Sequence, residues 1–399
     1  MTELIDHRPA APPGLRGVEV TSTTVGDVRG HEGRYHYRQY DVIDLARTRS
    51  LEAVWHVLLV GHLPDPDEEA GFRRRLGDLR VDAAERLGDV LATPAAGPGP
   101  LDTLRTAMSQ AGAVLGCRAL YDLDPTERAE DLLRLVAATP VLVAGTWRTT
   151  RGEHPVAPDP TLGHAADLLR MIGDVAPGDE AVRAVEQYLV LTTDHGFNAS
   201  TFTARVVAST GADAASCLVA ALGALSGPLH GGAPARALEL IDELAVLMPD
   251  DDAIDRAIRA RLGRGERLMG FGHAVYRTDD PRSLLLRDIA RTLGGPRIDA
   301  AERIEAGALA ALADAHPERP LRTNVELYTA VVLERCGVPA GLFSPMFATA
   351  RVAGWAAHVL EQAAQRTLFR PSARYEGPWP LVPLAHGAAT DGEAATDTG

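Results

Sequence analysis

Residues 50–61, SLEAVWHVLLVG, determine the fold class because they combine the start, the period and the end of a buried helix. Ser50 can cap the first turn, Gly61 can end the last turn, and Pro64 prevents the helix from continuing. The segment therefore predicts a helix with one face in a core. The apolar side chains on that face are Leu51, Val54, Trp55, Leu58 and Leu59.

The same apolar period recurs along most of the chain and predicts a mostly α fold. Strand-like alternation is confined to residues 18–28 and 33–40, which predict one minor N-terminal β ribbon. We expect a flexible leader at 1–14 and an acidic, disordered tail at 386–399. The further segments with helical signals are 66–92, 101–121, 126–145, 161–173, 178–194, 199–208, 212–225, 234–247, 251–263, 283–293, 299–315, 324–336 and 342–366.

The composition of the 399-residue chain excludes several classes of protein. A net charge of −14, with no dense basic stretch beyond Arg73 to Arg75, argues against nucleic acid as a partner. The chain contains no lysine, which excludes Schiff-base chemistry, pyridoxal phosphate attachment and a Walker phosphate loop. The 3 cysteines form no CxxC pair, so we expect neither a disulfide framework nor a cysteine zinc site.

The chain also lacks the signals of membrane insertion and secretion. No run of 18 apolar residues is present, and the N-terminal residues are polar and proline-rich. We therefore expect a cytoplasmic protein without a membrane span.

Three histidines stand in unusual local sequences and predict an active site. His195 lies in the polar DHGFNAST break, His230 between glycines in GPLHGGA, and His273 after a GFG loop in GFGHAVYRTDDPR. Glycines let the backbone approach a ligand closely. Imidazoles, guanidiniums and a carboxylate together can bind a polycarboxylate and remove a proton from carbon. No HExxH-type spacing is present, so we expect no metal site.

Arg351 is a second candidate because it lies within an almost wholly apolar helical segment, MFATARVAGWAAHVL. A buried guanidinium requires an anionic partner to offset the cost of its desolvation. That partner is either a structural carboxylate such as Glu361 or a carboxylate of the substrate. Arg370 lies in a later, proline-stiffened loop.

These motifs, together with TNVELYTAVVL and RVAGWAAHVLEQ followed by RPSARYEGP, resemble citrate synthases, including the similar 2-methylcitrate synthases. The resemblance runs in the family's order from about Gly14 to Pro378. It implies a two-lobed helical fold with a large lobe of residues 15–228 and 330–385 and a small lobe of residues 229–329. It also implies a homodimer. The small-residue segment 212–227 could line a subunit or lobe interface, or could be an ordinary buried helix.

The resemblance implies an acyltransferase that condenses an acyl-CoA with oxaloacetate by a Claisen-type reaction and then hydrolyses the thioester. The leading expectation is a citrate synthase of the tricarboxylic acid cycle that uses acetyl-CoA. The alternatives are a 2-methylcitrate synthase that uses propionyl-CoA and a non-catalytic paralogue that binds CoA or oxaloacetate. The CoA thioester is a substrate, and no metal or redox cofactor is expected.

The resemblance also assigns roles to individual residues. His230 would bind the thioester carbonyl oxygen, His273 would polarise the ketone of oxaloacetate, and Glu326 would remove the α-proton. The expected oxaloacetate-binding residues are His195, Arg282, Arg351 and Arg370, the last from the other subunit. The expected CoA-binding residues are Met269, Gly270, Phe271, Gly272, Arg277 and Arg319.

Glu326 departs from the family's pattern, in which the base after Asn-Val is usually an aspartate. The added methylene moves the carboxylate by about an ångström, a misplacement that can cost about 100-fold in rate unless the backbone compensates. Residues 323–326 also fit a capping box, so Glu326 could instead be a helix cap. Gln39 is a second, peripheral departure.

Overall fold

The computed structural model describes residues 11–378 apart from 94–96, 98, 174–175, 228–229, 231–232, 274 and 319. Residues Ser22–Phe369 form one compact unit, and Met1–Thr21 with Arg370–Gly399 form a second. Among the helices of the described residues, none combines the length and the apolar character needed to cross a membrane. The division into lobes at 229 and 329 stays a prediction.

The predicted N-terminal ribbon is a three-stranded antiparallel sheet in the order β1-β2-β3. Its strands are β1 (Gly26–Arg29), β2 (Arg34–Tyr37) and β3 (Tyr40–Asp41). The prediction for residues 33–40 is confirmed, whereas residues 18–25 form no strand. Tyr37 is fully buried, and its hydroxyl donates to the carbonyl of Val190, which fastens the sheet to the helical body.

Outside this sheet, the regular secondary structure of the described residues is helical, as predicted. The helices are α1 (Val42–Thr48), α2 (Leu51–Val60), α3 (Pro66–Arg86), α4 (Gly88–Ala92), α5 (Pro100–Leu115), α6 (Pro125–Thr150), α7 (His164–Ile172), α8 (Asp179–Thr192), α9 (Ala199–Ser209), α10 (Ala214–Leu225), α11 (Ala233–Ala245), α12 (Asp251–Gly263), α13 (Pro281–Leu293), α14 (Pro296–Ala315), α15 (Val325–Arg335) and α16 (Phe343–Gln365).

Sequence signals fix most helix ends. In α2, the Ser50 hydroxyl accepts from the Ala53 N–H, and Gly61 ends the helix at φ 110°, so both predicted caps are confirmed. The predicted helix over 66–92 is divided at Leu87, and α1 was missed because its seven residues are too few to show the period.

Helix α16 forms the centre of the large core. Most of its residues are buried, including Trp355, and it packs against α2, α6, α8 and α9. Helix α15 packs against α11, α13 and α14. The candidate site lies where the first turn of α15, the start of α9 and the middle of α16 each contribute side chains.

Candidate active site

The DHGFN segment connects α8 to α9 and buries His195. Asn198 caps α9, its side chain accepting from the N–H groups of Ser200 and Thr201, and Gly196 makes the turn at φ 63°. The His195 Nε2 lies 3.0 Å from the Tyr276 hydroxyl. Burial, reinforced by the positive charges of nearby arginines, holds the pKa of His195 well below its usual value, so the ring is neutral at pH 7.

Backbone hydrogen bonds join the GFG loop to the start of α15. Gly270 and Gly272 adopt φ 90° and φ 85°, which glycine allows without strain. The Asn324 N–H donates to the Gly270 carbonyl at 2.9 Å, and the Asn324 Nδ2 donates to the Gly272 carbonyl at 3.0 Å. These bonds hold the segments of His273 and Glu326 in a fixed relative position, although the two residues lie 53 positions apart in sequence (326 minus 273).

The hydrogen bonds of His273 define its tautomer. Its Nδ1 accepts from the N–H groups of Val275 at 2.9 Å and Tyr276 at 3.0 Å, so the proton of the neutral ring is on Nε2. Burial, followed by the charge of Arg282, lowers the pKa of His273 to about 4. The Arg282 Nη2 lies 3.2 Å from that Nε2. Because two backbone N–H groups already require Nδ1 to accept, Nε2–H and the Arg282 N–H are two donors that make no hydrogen bond to each other. Two donors therefore face the same space, an arrangement that suits an oxygen acceptor such as a ketone or carboxylate.

Arg282 is held by a carboxylate of its own chain. Asp280 accepts from Nη2 at 2.7 Å and from Nε at 2.9 Å, and both side chains are buried. The bidentate pair keeps the guanidinium rigid and offsets part of its charge. Asp280 also caps α13.

His230 is oriented by the first turn of α9. Its Nε2 lies 3.3 Å from the Ser200 N and 2.9 Å from the Ser200 Oγ, and the Trp355 indole donates to the same Oγ at 3.2 Å. Because a backbone N–H can only donate, Nε2 is an acceptor and the ring proton is on Nδ1. Burial, followed by the charge of Arg351, lowers the pKa of His230 to about 4.

One cavity of about 880 Å³ connects the three candidate catalytic residues. It is large enough for a cofactor-sized ligand. Its lining includes the predicted CoA-binding residues of the GFG loop, whereas the exposed Arg277 is not among the described residues that line it. Arg319 lies outside the described residues. The lining residues are His230, Leu262, Gly265, Glu266, Arg267, Leu268, Met269, Gly270, Phe271, Gly272, His273, Leu312, Ala315, His316, Leu321, Asn324 and Glu326.

Glu326 faces this cavity and is not a helix cap. The N-cap of α15 is Asn324, whose side chain accepts from the Glu326 N–H at 2.9 Å. The Thr323 hydroxyl donates instead to Glu305, so the capping-box alternative is wrong. Burial raises the pKa of Glu326 to about 7, even though the charge of Arg282 acts to lower it. A carboxylate with this pKa is suited to proton transfer near neutral pH.

Arg351 is buried, and no carboxylate of the described residues lies within ion-pair distance of it. Its Nε and Nη1 make no hydrogen bond to any described residue, and its guanidinium lies 4.8 Å from the centre of the Phe347 ring. Burial lowers the pKa of Arg351, although the charge of Asp194 opposes the shift. Glu361 pairs with Arg205 rather than with Arg351, so Glu361 is not its structural partner. The remaining hypothesis is a carboxylate of the substrate.

Two further features concern Arg370 and a cluster of histidines. Arg370 is exposed and belongs to the second compact unit. In the part of the chain that the structure describes, His56, His62 and Glu68 place possible metal-ligating atoms within 4.8 Å of one another. Glu68 already caps α3 and contacts His62, which accounts for the cluster without a metal.

Sequence reasoning missed four residues of the site. Tyr276, Ser200, Asp280 and Asp194 each hold a predicted residue in place through a hydrogen bond or a charge. Asp280 lies two residues from Arg282, so its pairing could have been predicted. Ser200 and His230 meet only through the tertiary fold.

Comparisons with known proteins agree with the geometry. The family described as citrate synthase, C-terminal domain, matches residues 14–372. A protein of Mycobacterium bovis named putative citrate synthase 2 is 37% identical over 93% of this chain and 94% of its own length. The 2-methylcitrate synthase of Shewanella oneidensis is 33% identical over 96% of this chain and 99% of its own length. A solved structure of the citrate synthase of Thermoplasma acidophilum is a ternary complex with carboxymethyl coenzyme A and oxaloacetate. It matches with a TM-score of 0.83 and 26% identity, over 94% of this chain and 98% of that chain.

Proposed function

Because the chain belongs to the citrate synthase family, we propose that it condenses acetyl-CoA with oxaloacetate and water to give citrate and CoA. The observation that carries the proposal is the single cavity lined by His230, His273, Glu326 and the GFG loop. It places a raised-pKa carboxylate and two neutral histidines around one space.

In the first step, Glu326 removes a proton from the α-carbon of the thioester. A thioester α-proton is a very weak acid, so the site must stabilise the charge that develops on the carbonyl oxygen. The Nδ1–H of His230 donates to that oxygen. Because the pKa of His230 is about 4, its ring is neutral at pH 7 and donates this hydrogen bond without carrying a positive charge.

In the second step, the enolate carbon attacks the ketone carbon of oxaloacetate, and the ketone oxygen takes up one proton, which balances the one that Glu326 removed, to become the hydroxyl of the citryl thioester. The Nε2–H of His273 and the Arg282 guanidinium polarise the ketone and bind the adjacent carboxylate. Arg351 binds a carboxylate through its two unpartnered nitrogens, and His195 completes the site. Water then hydrolyses the citryl thioester, and CoA leaves as the thiol.

The cavity beside the GFG loop would hold the CoA chain, with Arg277 and Arg319 near its phosphates. We also propose a homodimer in which Arg370 of each subunit reaches the oxaloacetate site of the other. The reaction needs no metal or redox cofactor. It would serve the tricarboxylic acid cycle.

A 2-methylcitrate synthase acting on propionyl-CoA is the second candidate. Curated relatives at 33% and 36% identity carry that name. One methylene in an apolar pocket is worth only about 1–3 kcal/mol, so one site can use both acyl groups.

The test is CoA-thiol release by the purified protein with oxaloacetate and either acetyl-CoA or propionyl-CoA. Turnover that is faster by kcat/KM with acetyl-CoA supports the proposal, and the reverse ratio supports the second candidate. No release with either thioester, from protein that still binds oxaloacetate, would identify a non-catalytic paralogue.

A further inference from the structure

Buried polar side chains link α16 to the loop that carries His195, and the proposed reaction assigns them no task. His358 on α16 and Arg205 on α9 are fully buried. The Arg205 Nη1 lies 3.2 Å from the His358 Nδ1. Because a guanidinium can only donate, Nδ1 accepts, and the proton of a neutral ring is on Nε2.

That proton faces Asp194. The His358 Nε2 lies 3.3 Å from the Asp194 Oδ1, which is within ion-pair distance, and neither atom makes a hydrogen bond to any other described residue that would compete for it. The second carboxylate oxygen accepts from the Gly196 N–H at 3.1 Å, and the Asp194 N–H donates to the Tyr37 hydroxyl at 3.0 Å. Asp194 is thus fixed on both its side chain and its backbone.

The loop that Asp194 begins carries much of the candidate site. Its next residue is His195, and Asn198 ends the loop by capping α9. The first turn of α9 then places Ser200 against His230. A shift of Asp194 would therefore move two of the three site histidines.

The same carboxylate acts on Arg351. Arg351 precedes His358 by seven residues on α16, or about two turns, so both side chains lie on the same face. Asp194 supplies the strongest negative charge that acts on the Arg351 guanidinium. At the far end of the network, Arg205 is held by Glu361 and by the Gln362 Oε1 at 3.0 Å. The Glu361 carboxylate thereby balances the Arg205 charge.

We propose that His358 is a positioning residue for the dicarboxylate substrate: its Nε2–H holds Asp194 so that the loop presents His195 while α16 presents Arg351. This inference rests on the proposed function, which names oxaloacetate as that substrate.

The test compares His358→Leu, which fills the space without a donor, with His358→Gln, whose amide N–H can replace the Nε2–H. We expect the Leu variant to raise the KM for oxaloacetate by up to about 100-fold with a smaller change in kcat. The Gln variant should restore most of the loss. The matched control is His164→Leu, a buried histidine whose ring nitrogens have no partner among the described residues. It should lower Tm without changing the KM.

An unchanged KM in the Leu variant, or equal KM values for Leu and Gln, would overturn the proposal. If the Leu variant does not fold, His358→Asn replaces it, because its shorter amide cannot reach Asp194. A second readout does not depend on turnover: ¹⁵N NMR of histidine-labelled protein should show His358 protonated at Nε2 alone. Protonation at Nδ1 would overturn the proposal even if the protein proved not to act on oxaloacetate.

Discussion

Two buried arginines in different regions differ in how far the protein itself pairs their charge. Between α3 and α7, Arg80 donates to the Asp167 carboxylate at 2.9 Å and to the Leu162 carbonyl at 2.8 Å, with only its Nη1 unpartnered. On α16, Arg351 is nearly as buried but has no carboxylate among the described residues within ion-pair distance. An uncompensated buried charge costs several kcal/mol, so a fold retains one where a ligand supplies the counter-charge.

The carboxylates of the two regions differ in the same way. Asp167 accepts from Arg80, Arg170 and the Asp159 N–H. Glu326 faces the cavity, and burial raises its pKa to about 7. The region around Asp167 satisfies its charges internally, whereas Glu326 and Arg351 in the candidate site have no ion-pair partner among the described residues.

The largest expected effect concerns the carboxylate of the site. Glu326→Gln should lower kcat for CoA release by about 1,000-fold, because the variant has no general base. The same change should raise the free energy of unfolding at pH 8 by about 3 kcal/mol, because it removes a carboxylate whose ionisation burial opposes. An assay of CoA-thiol release measures kcat, and denaturant unfolding at pH 8 measures the free energy of unfolding.

The control for that variant is Asp167→Asn. It should destabilise the protein while the kcat of the folded fraction stays at the wild-type value. Retained turnover in Glu326→Gln would show that another group is the base.

The second prediction compares the arginines directly by denaturant unfolding. Arg80→Leu should lower the free energy of unfolding by about 3 kcal/mol, because it breaks a buried pair and leaves Asp167 with less compensation. Arg351→Leu should leave stability unchanged or raise it, because it removes a buried charge that has no ion-pair partner. If both variants lost the same free energy of unfolding, the two arginines would not differ in how the protein balances their charges.

The smallest effect is the pH dependence. The kcat/KM of the wild type should rise about tenfold per pH unit below pH 7 and level off above it, because Glu326 must lose its proton to act as a base. His230 and His273, whose pKa values are about 4, should cause no further change in kcat/KM between pH 5 and 9. A profile that is flat from pH 5 to 9 would be inconsistent with a pKa of about 7 for the base.

Local sequence signals were enough for the fold class and most helices, because caps and apolar period act within a few residues. The bounds of α12, residues 251–263, agree with the prediction, as do the caps of α2. The capping-box alternative failed because Asn324 competes for the cap and Thr323 finds Glu305 in the tertiary fold. The Glu361 alternative failed because Arg205, on another helix, is nearer.

The candidate site was predictable as a set of residue types but not as a geometry. The glycines of the GFG loop and the local sequences around the three histidines marked the right segments, two of which line one cavity. The tautomers of His230 and His273 depend on Ser200 and on the backbone of residues 275–276. Those contacts exist only after the helices pack.

The most direct test of the account is calorimetric titration of oxaloacetate into the wild type, Arg351→Leu and Arg80→Leu. The account predicts one site per chain in the wild type, with affinity at least about 100-fold weaker in Arg351→Leu and unchanged in Arg80→Leu. Wild-type affinity in Arg351→Leu would contradict the claim that the buried guanidinium is reserved for a carboxylate of the substrate.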